Sequence, residues 1–257
     1  MPDLSLLGIP GGLLKLGADP YLKSLIFKKV WDLEPIRVLQ VQCSDGSWLL
    51  SQQQAFGPHG GIEFFGLDED ERHVQNFQSK ASGVPIFCES FANFKFPPAY
   101  FHFIYWDATR ETEGGTLEFL KRAMRNLHPT GSVLIRYYLA EKCGQWPLYD
   151  HLPDLREADQ SRGVNLRDVW KLTQAAGFKK SVTASVNLDL EERNLTDLAA
   201  EILSHRDCSE SLRTLVNSFF EGKKPFEESR EQLGSSISGS KICVGEVFCL
   251  GNTYFGD

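Results

Sequence analysis

The sequence lacks the features of membrane-spanning, nucleic-acid-binding and disulfide-stabilised proteins. No apolar run approaches the ~18 residues that indicate a membrane-spanning helix. With a net charge of −7 and a pI near 5.5, the chain has no general excess of positive charge for a nucleic acid, although a local basic patch is compatible with that balance. The six cysteines form no CxxC pair, which favours reduced, mostly buried thiols. We therefore expect a cytoplasmic protein that binds neither a membrane nor a nucleic acid.

Short motifs of two common enzyme classes are also missing. No GxGxxG follows an apolar strand, as it does in nicotinamide-binding folds, and no GxSxG is present to form the nucleophile elbow of an α/β hydrolase. A nicotinamide dehydrogenase is therefore disfavoured, and a serine hydrolase more so. At 257 residues and 42% hydrophobic content, the chain can nevertheless bury the core of a large soluble domain.

Apolar runs alternate with helical segments along most of the chain. Runs of this kind indicate strands that are buried on both faces, as in a parallel sheet covered by helices on both sides. The pattern therefore predicts an α/β fold with a Rossmann-like sheet of seven strands. The predicted strands are 36–42, 62–68, 84–90, 101–107, 132–139, 179–188 and 241–252, and the predicted helices are 19–33, one that begins near 47, 70–81, 117–127 and 164–178.

Capping and turn residues set the limits of these elements. Ser44 or Asp45 can accept hydrogen bonds from the first turn of the second helix, and Gly177 ends the helix before the sixth strand. The residues HPTG, 128–131, are predicted to form a turn into the fifth strand. The segment that follows this strand contains Pro153 and is predicted to be a loop.

The composition divides the chain into an α/β domain and two additional segments. The α/β domain comprises residues 36–189 and 241–257, and residues 1–35 form an N-terminal helical extension. Residues 190–240 form an insertion with two amphipathic helices in 190–221 and a polar linker. We expect these helices to form a lid, or a surface for a partner protein or a second copy of the chain. A packing appendage is an equal alternative.

Polar side chains follow the predicted strands at the edge where an open parallel sheet binds ligands. The first strand leads into the loop QCSDG, 42–46, and the second ends at Asp68 with Glu69 beside it. A carboxylate at that position can accept hydrogen bonds from both hydroxyls of a ribose, because its two oxygens match a vicinal diol. A carboxylate at a strand end is also a common helix cap, and Asp68 alone leaves both interpretations open.

The third and fourth strands end in further polar residues at the same edge. Glu89, Ser90 and Phe91 are suited to the edge and the face of an adenine, and Asp107 faces the reactive end of a ligand in the cleft. Because the carboxyl ends of parallel strands meet at one edge, these residues belong to the same candidate site as the second-strand carboxylates. His102 and most aromatic residues near the fourth strand are expected to be structural, although one ring can stack on adenine.

Four stretches resemble motifs of the class I S-adenosylmethionine-dependent methyltransferases. VLQVQCSDG stands at the position of their acidic, glycine-rich first motif, and GLDED is similar to the acidic motif after their second strand. NLHPTGSVLI and LTQAAGFKKSVTASV are similar to the segments that lead into their fifth and sixth strands. The resemblance covers Ile36 to Val186. It implies a sheet whose last strand is antiparallel, S-adenosylmethionine as the cofactor and a small molecule as the methyl acceptor.

The loop after the first strand departs from the first motif of that family. The resemblance implies that Gln40, Gln42, Cys43, Ser44 and Gly46 contact the cofactor. Gln40 stands where the family has an acidic residue. Gln42 and Ser44 stand in place of glycines, which let a backbone approach a ligand closely. Glutamine and serine can still hydrogen-bond a carboxylate or an amine, but the side chain of Gln42 must point away from the pocket or occupy it.

The resemblance also indicates candidate catalytic residues after the fourth and fifth strands. YWDATRETEGG is similar to a run in small-molecule O-methyltransferases, and it makes Asp107 the candidate base or orienting group, with Tyr137 or Tyr138 as its partner. Metal-dependent members have an Asp-Asn or Asp-Asp pair after the fifth strand, where this chain has Arg136, Tyr137 and Tyr138. A hard cation needs several oxygen ligands, so no metal site is expected. Asp107 can equally contact the cofactor or cap the next helix, and the tyrosines can form the cleft wall.

Two functions therefore compete at the level of the sequence. The first is an S-adenosylmethionine-dependent methyltransferase for a small molecule, with Asp68, Glu69, Glu89, Ser90 and Phe91 as further cofactor-binding residues. In such an enzyme, the acceptor attacks the methyl group in line within a cleft at the carboxyl ends of the strands. The second is a catalytically inactive methyltransferase-like module that binds a partner protein or a metabolite, which the substitutions in the first loop motivate.

Overall fold

The computed structural model describes residues 17–29, 35–57, 60–80, 83–108, 115–139, 149, 153–162, 166–189, 210, 213, 214, 217 and 241–251. These residues contain six helices and seven strands. In chain order the elements are α1 (Pro20–Lys29), β1 (Ile36–Val41), α2 (Ser47–Phe56), β2 (Ile62–Asp68), α3 (Glu71–Lys80), β3 (Ile86–Cys88), β4 (Phe101–Asp107), α4 (Thr116–Asn126), β5 (Leu127–Tyr138), α5 (Pro153–Arg162), α6 (Leu166–Ala175), β6 (Lys180–Asp189) and β7 (Lys241–Leu250).

The strands form one seven-stranded sheet in the order β3-β2-β1-β4-β5-β7-β6. The pairs β2–β3, β1–β2, β1–β4 and β4–β5 are parallel, whereas β7 is antiparallel to both β5 and β6. The sequence-based prediction of a Rossmann-like, mostly parallel sheet with an antiparallel last strand is therefore confirmed. The strand order reverses between β1 and β4, which makes their carboxyl ends the switch point of the sheet.

Helices cover both faces of this sheet, as predicted. On one face, Val38 of β1 belongs to a hydrophobic cluster with Leu22 of α1 and Trp48 of α2. On the other face, Leu39 belongs to a cluster with Leu120 of α4. Val38 and Leu39 are both fully buried although adjacent residues of a strand point in opposite directions. This two-sided burial explains why apolar residues predominate along β1, including at adjacent positions.

The predicted turn at 128–131 is wrong, because these residues belong to β5. The register of β4 against β5 jumps from Phe101 opposite Leu127 to Phe103 opposite Ser132, so the HPT residues form a bulge within the strand. Gly131 is required at its end, since a Cβ there would lie 2.8 Å from the carbonyl oxygen of His102. The sequence signal of a glycine after a proline marked a close backbone approach rather than a turn.

Two further elements differ from their predictions. The third strand is limited to Ile86–Cys88, because the chain leaves the sheet after the amide of Glu89 donates to the carbonyl of Asp68 at 2.9 Å. The segment predicted as a loop contains α5, which begins at Pro153. Proline is tolerated in the first turn of a helix, where its missing N–H would have no partner. The predicted helix end at Gly177 agrees with its left-handed φ of 97°.

The predicted N-terminal extension and insertion lie largely outside the described residues. Of the extension, residues 17–29 and 35 are described, and α1 is its helix. Of residues 190–240, only 210, 213, 214 and 217 are described, so the lid or partner surface remains a prediction. None of the helices in the described part of the chain is both long enough and apolar enough to pass through a lipid bilayer.

Candidate functional site

A cavity of about 490 Å³ opens at the carboxyl ends of β1 to β4, between the strand ends and α4. Its volume lies within the range of about 300–1,000 Å³ that is usual for small-molecule pockets. The cavity also lies at the switch point of the sheet, which is where open α/β sheets bind ligands. The lining residues are Val41, Gln42, Leu67, Asp68, Glu69, Glu89, Ser90, Phe91, Ala92, Trp106, Glu118, Phe119, Lys121, Arg122 and Arg125.

The structure brings about half of the sequence-predicted site residues together on this cavity. The predicted residues that line it are Gln42, Asp68, Glu69, Glu89, Ser90 and Phe91. The predicted residues that do not line it are Gln40, Cys43, Ser44, Gly46, Asp107 and Tyr137. The sequence reasoning missed the wall that α4 contributes. Glu118, Phe119, Arg122 and Arg125 have the spacing of one helix face, and the sequence analysis predicted this helix without assigning a face to the site.

The loop after β1 has left-handed backbone conformations at three alternate positions. The φ angles are 52° at Gln42, 50° at Ser44 and 73° at Gly46. These are the positions where the resemblance expects glycines, and a non-glycine residue in this region costs about 1–2 kcal/mol. Hydrogen bonds hold the loop in place, since the amides of Cys43 and Ser44 donate to the Leu67 carbonyl and to the side chain of Asp68. Gln42 and Ser44 therefore adopt the left-handed backbone conformation that glycine usually adopts.

Gln42 does not point away from the cavity. Its Oε1 accepts a hydrogen bond from Nε1 of Trp106 at 2.7 Å, which joins the end of β1 to β4 across the switch point. Trp106 is 2% exposed, and its ring packs against Phe119 with the centroids 4.2 Å apart. The glutamine thus lines the cavity beside a fixed indole, at the place where a ligand would cross from β2 towards β4.

Asp68 joins the β1 loop to the end of β2. Its Oδ2 accepts from the amide of Ser44 at 2.7 Å, and its Oδ1 accepts from the amide of Asp70 at 2.9 Å and lies 3.2 Å from Nδ1 of His73. A carboxylate has about four acceptor positions, so roughly one remains for a ligand. Asp45 also partly fulfils its predicted capping role, because its Oδ1 accepts from the amide of Ser47, the first residue of α2.

Phe91 and α4 form the wall opposite the strand ends. The Phe91 ring lies 5.1 Å from that of Phe119, centroid to centroid, and the guanidinium of Arg122 is 5.7 Å from the Phe91 centroid. The ring is mostly buried but borders the cavity, so its remaining surface is available to a flat ligand. Phe94 and Phe96 pack against each other at 4.1 Å within the core, in agreement with the expectation that most of these aromatics are structural.

Asp107 lies beside a buried charged cluster rather than on the cavity. It is 4% exposed and pairs in register with Arg136 of β5. Arg136 donates from Nε and Nη2 to Oε1 of Glu246 on β7, at 2.8 and 2.6 Å, and from Nη1 to the hydroxyl of Tyr105 at 3.3 Å. Burial alone would lower the pKa of Arg136. The surrounding oxygens, of which that of Tyr105 has the largest effect, raise the pKa by more than burial lowers it. The guanidinium is therefore a permanent cation at the end of β4 and β5.

Asp19 connects α1 to the same cluster. Its Oδ1 caps the helix by accepting from the amides of Tyr21 and Leu22, at 2.9 and 3.0 Å, while its own amide donates to Gln52. Its Oδ2 lies 3.8 Å from Nη2 of Arg136 and has no hydrogen-bond partner among the described residues. Burial raises the pKa of Asp19 more than the cap and the guanidinium lower it.

We expect Asp19→Asn to increase stability at neutral pH, because asparagine keeps the cap and removes an unfavourable buried charge. A carboxyl with a raised pKa in the folded state binds its proton more tightly than the unfolded chain does. Its contribution therefore makes the wild type lose stability as the pH rises from about 3.8, the ordinary value, through the pKa of the folded state. Urea denaturation of both proteins between pH 4 and pH 8 measures the effect. Parallel stability profiles would contradict it.

Tyr137 and Gln40 are buried polar residues that do not reach the cavity. Tyr137 is fully buried, and its ring fills the space in which a Cβ at Gly245 would stand. Burial, followed by the nearby Cys249, raises the pKa of Tyr137, which makes its phenolate harder to form. The amide of Gln40 is fully buried, and neither of its polar atoms has a hydrogen-bond partner among the described residues.

His102 lies away from the cavity. The Nδ1 of His102 accepts from the amide of Arg37 at 3.1 Å, at the opposite edge of the sheet from the cavity, which is a structural role. Within the described ranges, no group of three or more histidine, cysteine, aspartate or glutamate side chains is placed to hold a metal ion.

Known structures share this fold at low sequence identity. A protein from Anabaena variabilis, assigned as a methyltransferase of an antibiotic biosynthesis pathway, has a TM-score of 0.56 at 12% identity, over 89% of this chain and 96% of its own. The plantazolicin methyltransferase BpumL, in complex with SAH, has a TM-score of 0.53 at 11% identity, over 90% of this chain and 83% of its own. No protein-family model and no curated protein matches the sequence.

A third similar structure is much longer than this chain. It is the Haemonchus contortus phosphoethanolamine N-methyltransferase 2 in complex with S-adenosyl-L-methionine, with a TM-score of 0.50 at 13% identity over 92% of this chain. The chain spans 54% of that protein, about half of its length. Together, the strand order 3-2-1-4-5-7-6 and these likenesses show that the chain has the fold of the class I S-adenosylmethionine-dependent methyltransferases.

Proposed function

We propose that this protein is an S-adenosylmethionine-dependent methyltransferase that acts on a small molecule. One feature supports this function above the others, namely the cavity of about 490 Å³ at the switch point. It brings the carboxylates at the ends of β2 and β3 onto one surface with the ring of Phe91. A ribose and an adenine need this combination of acceptors and a flat apolar face.

The residues on the cavity fit the parts of the cofactor. Asp68 keeps about one acceptor position for a ribose hydroxyl, and Glu69 lines the same part of the cavity. Glu89 can accept from the amino group of adenine, while the ring lies against Phe91. Gln42, which lines the cavity, would border the methionine end. Its amide can bind that end or narrow the space for it.

The proposed reaction depends on alignment rather than on acid–base chemistry. The cofactor would supply an electrophilic methyl group on a sulfonium, and the acceptor must be held in line with it. Asp107 at the end of β4 is the sequence-based candidate for the orienting group or base, but it is buried beside Arg136 and does not line the cavity, so we do not assign it to catalysis. We do not assign Tyr137 to catalysis, because its hydroxyl is buried and is not part of the cavity wall.

The second candidate function is a methyltransferase-like module that binds a metabolite or a partner without methyl transfer. The hydrogen bond between Gln42 and Trp106 favours it, because the glutamine stands where a glycine would leave room for the cofactor. The buried amide of Gln40, which replaces an acidic residue, is a second departure at the same strand. The two candidates differ in whether the cofactor binds and in whether it is consumed.

Calorimetric titration with S-adenosylmethionine and S-adenosylhomocysteine tests the proposed function. We expect both to bind the wild type, and we expect Glu89→Gln to weaken both by about tenfold, because a charged acceptor contributes roughly 1.5 kcal/mol to a hydrogen bond. Glu63→Gln is the matched control, since Glu63 is an exposed carboxylate at the opposite end of β2. Its binding constants should equal those of the wild type.

The variant Gln42→Gly separates the two candidates. If the side chain occupies the place of the cofactor, this variant should bind S-adenosylmethionine where the wild type does not. That result would favour the binding module and exclude the enzyme. Binding to the wild type, followed by formation of S-adenosylhomocysteine with a suitable acceptor, would support the methyltransferase.

A further inference from the structure

The α4 wall of the cavity carries Lys121, Arg122 and Arg125, and the carboxylates Asp68, Glu69 and Glu89 at the strand ends line the same cavity. Lys121 pairs with Glu118, with Nζ and Oε1 3.0 Å apart. Neither Arg122 nor Arg125 has a carboxylate partner among the described residues. The two guanidinium groups therefore form a local positive surface on α4, where their charges repel each other.

Arg122 is the more constrained of the two. Its Nη2 donates to the carbonyl of Phe94, its guanidinium lies over the ring of Phe91, and its Nε is buried without an acceptor among the described residues. Burial first, and the charge of Arg125 second, lower the pKa of Arg122. An anion in the cavity would accept from the guanidinium groups and remove this mutual repulsion.

We propose that the α4 wall is an anion subsite and that the cavity binds a phosphorylated purine nucleoside. The purine would lie against Phe91, with its amino group towards Glu89, and the phosphate would be held by Arg122 and Arg125. Arginine suits this role because its planar donors match phosphate oxygens in pairs. The inference rests on the proposed function for the placement of the purine. The basic side chains of the α4 wall are a separate observation, and S-adenosylmethionine, which carries no phosphate, does not require them.

Binding of this kind has consequences that adenosine alone would not share. A nucleotide would compete with S-adenosylmethionine for the purine site, so the activity of the proposed enzyme would follow the nucleotide concentration. The affinity of the protein for the nucleotide would also fall as the salt concentration rises, because ions screen the attraction between phosphate and guanidinium. The affinity for adenosine would change little with salt.

Calorimetric titrations of the full chain with adenosine, its 5′- and 3′-monophosphates and inorganic phosphate test the inference. We expect at least one monophosphate to bind about tenfold more tightly than adenosine, since a charge-assisted contact contributes roughly 1.5 kcal/mol. Arg125→Gln should remove this advantage and leave the affinity for adenosine unchanged, because Arg125 is exposed and its replacement disturbs little packing. Lys171→Gln on α6, whose lysine pairs with Asp168 outside the cavity, is the charge-matched control and should behave as the wild type.

The outcomes keep this inference separate from the proposed function. Monophosphates that bind no better than adenosine, or an Arg125→Gln variant that weakens adenosine and monophosphate equally, would overturn the anion subsite. Phosphate that binds alone as tightly as the nucleotides would overturn the assignment of a phosphorylated purine nucleoside, because the purine would then contribute nothing. Nucleotide binding without any binding of S-adenosylhomocysteine would leave the subsite in place and remove the methyltransferase.

Discussion

Arg136→Met is expected to lower the free energy of unfolding by about 3–5 kcal/mol, which is the usual effect of removing one partner of a buried ion pair. The guanidinium is 7% exposed and holds Oε1 of Glu246 at 2.6 Å. Asp19 and Asp107 lie close enough to contribute to its charged state. Without Arg136, the carboxylates of Glu246 and Asp19 would remain buried and lose this cation. Methionine fills a similar volume, so the loss reports the charge rather than a cavity.

Urea denaturation at pH 7 measures this loss, with an unchanged m-value indicating that the unfolding reaction remains the same. Arg72→Met is the control, because Arg72 is an exposed arginine paired with Asp70, and exposed pairs contribute little. The double variant Arg136→Met, Glu246→Leu should recover part of the loss, since two apolar side chains of suitable size can replace a buried pair. A single variant as stable as the Arg72 control would show that the cluster has no structural role.

The alternation of strands and helices was predictable, and the charged cluster was not. Strands such as β1 and β4 are buried on both faces, so apolar residues predominate along them without the strict alternation of a half-exposed strand. The edge that binds ligands was also predictable, because parallel strands end together. Asp68, Glu89 and Phe91 therefore converge on one cavity. These inferences use only the order of residues within an element and the direction of neighbouring strands.

The rest of the site depends on contacts between distant elements. The partner of Arg136 is 110 residues away in the sequence, and no local pattern joins the two. The same holds for the bond from Trp106 to Gln42, which is 64 residues away. From the sequence, Gln42 had two possible orientations, and the choice between them required the position of β4. The wall formed by α4 was visible as a helix face, but which face meets the cavity is a matter of packing.

The largest effect in the candidate cofactor loop is expected for Gly46→Ala. Gly46 has φ 73°, where an alanine costs about 1–2 kcal/mol, and a Cβ there would lie 1.8 Å from the ring of Phe77. Phe77 is fully buried and cannot move without disturbing α3. Overpacking of this kind adds about 1–3 kcal/mol, so the total loss of stability should be near 3 kcal/mol.

Gly60→Ala divides this loss into its two causes. Gly60 has φ 66°, nearly that of Gly46, but a Cβ there meets nothing within 4 Å. Its variant should show the backbone cost alone, about 1–2 kcal/mol. Gly46→Ala combined with Phe77→Leu should regain part of the difference, because the smaller side chain leaves room for the methyl group. Thermal or urea unfolding of the three variants and the wild type provides the comparison.

Gly46→Ala also tests whether the loop contributes to cofactor binding, because Gly46 joins the loop to α2. If the left-handed path of the loop positions the ligand, the folded fraction of Gly46→Ala should bind S-adenosylhomocysteine more weakly than the wild type, and Gly60→Ala should bind it normally. Equal affinities for both variants would mean that the loop is a structural connection between β1 and α2. In that case the glycine would be required by Phe77 and not by a ligand.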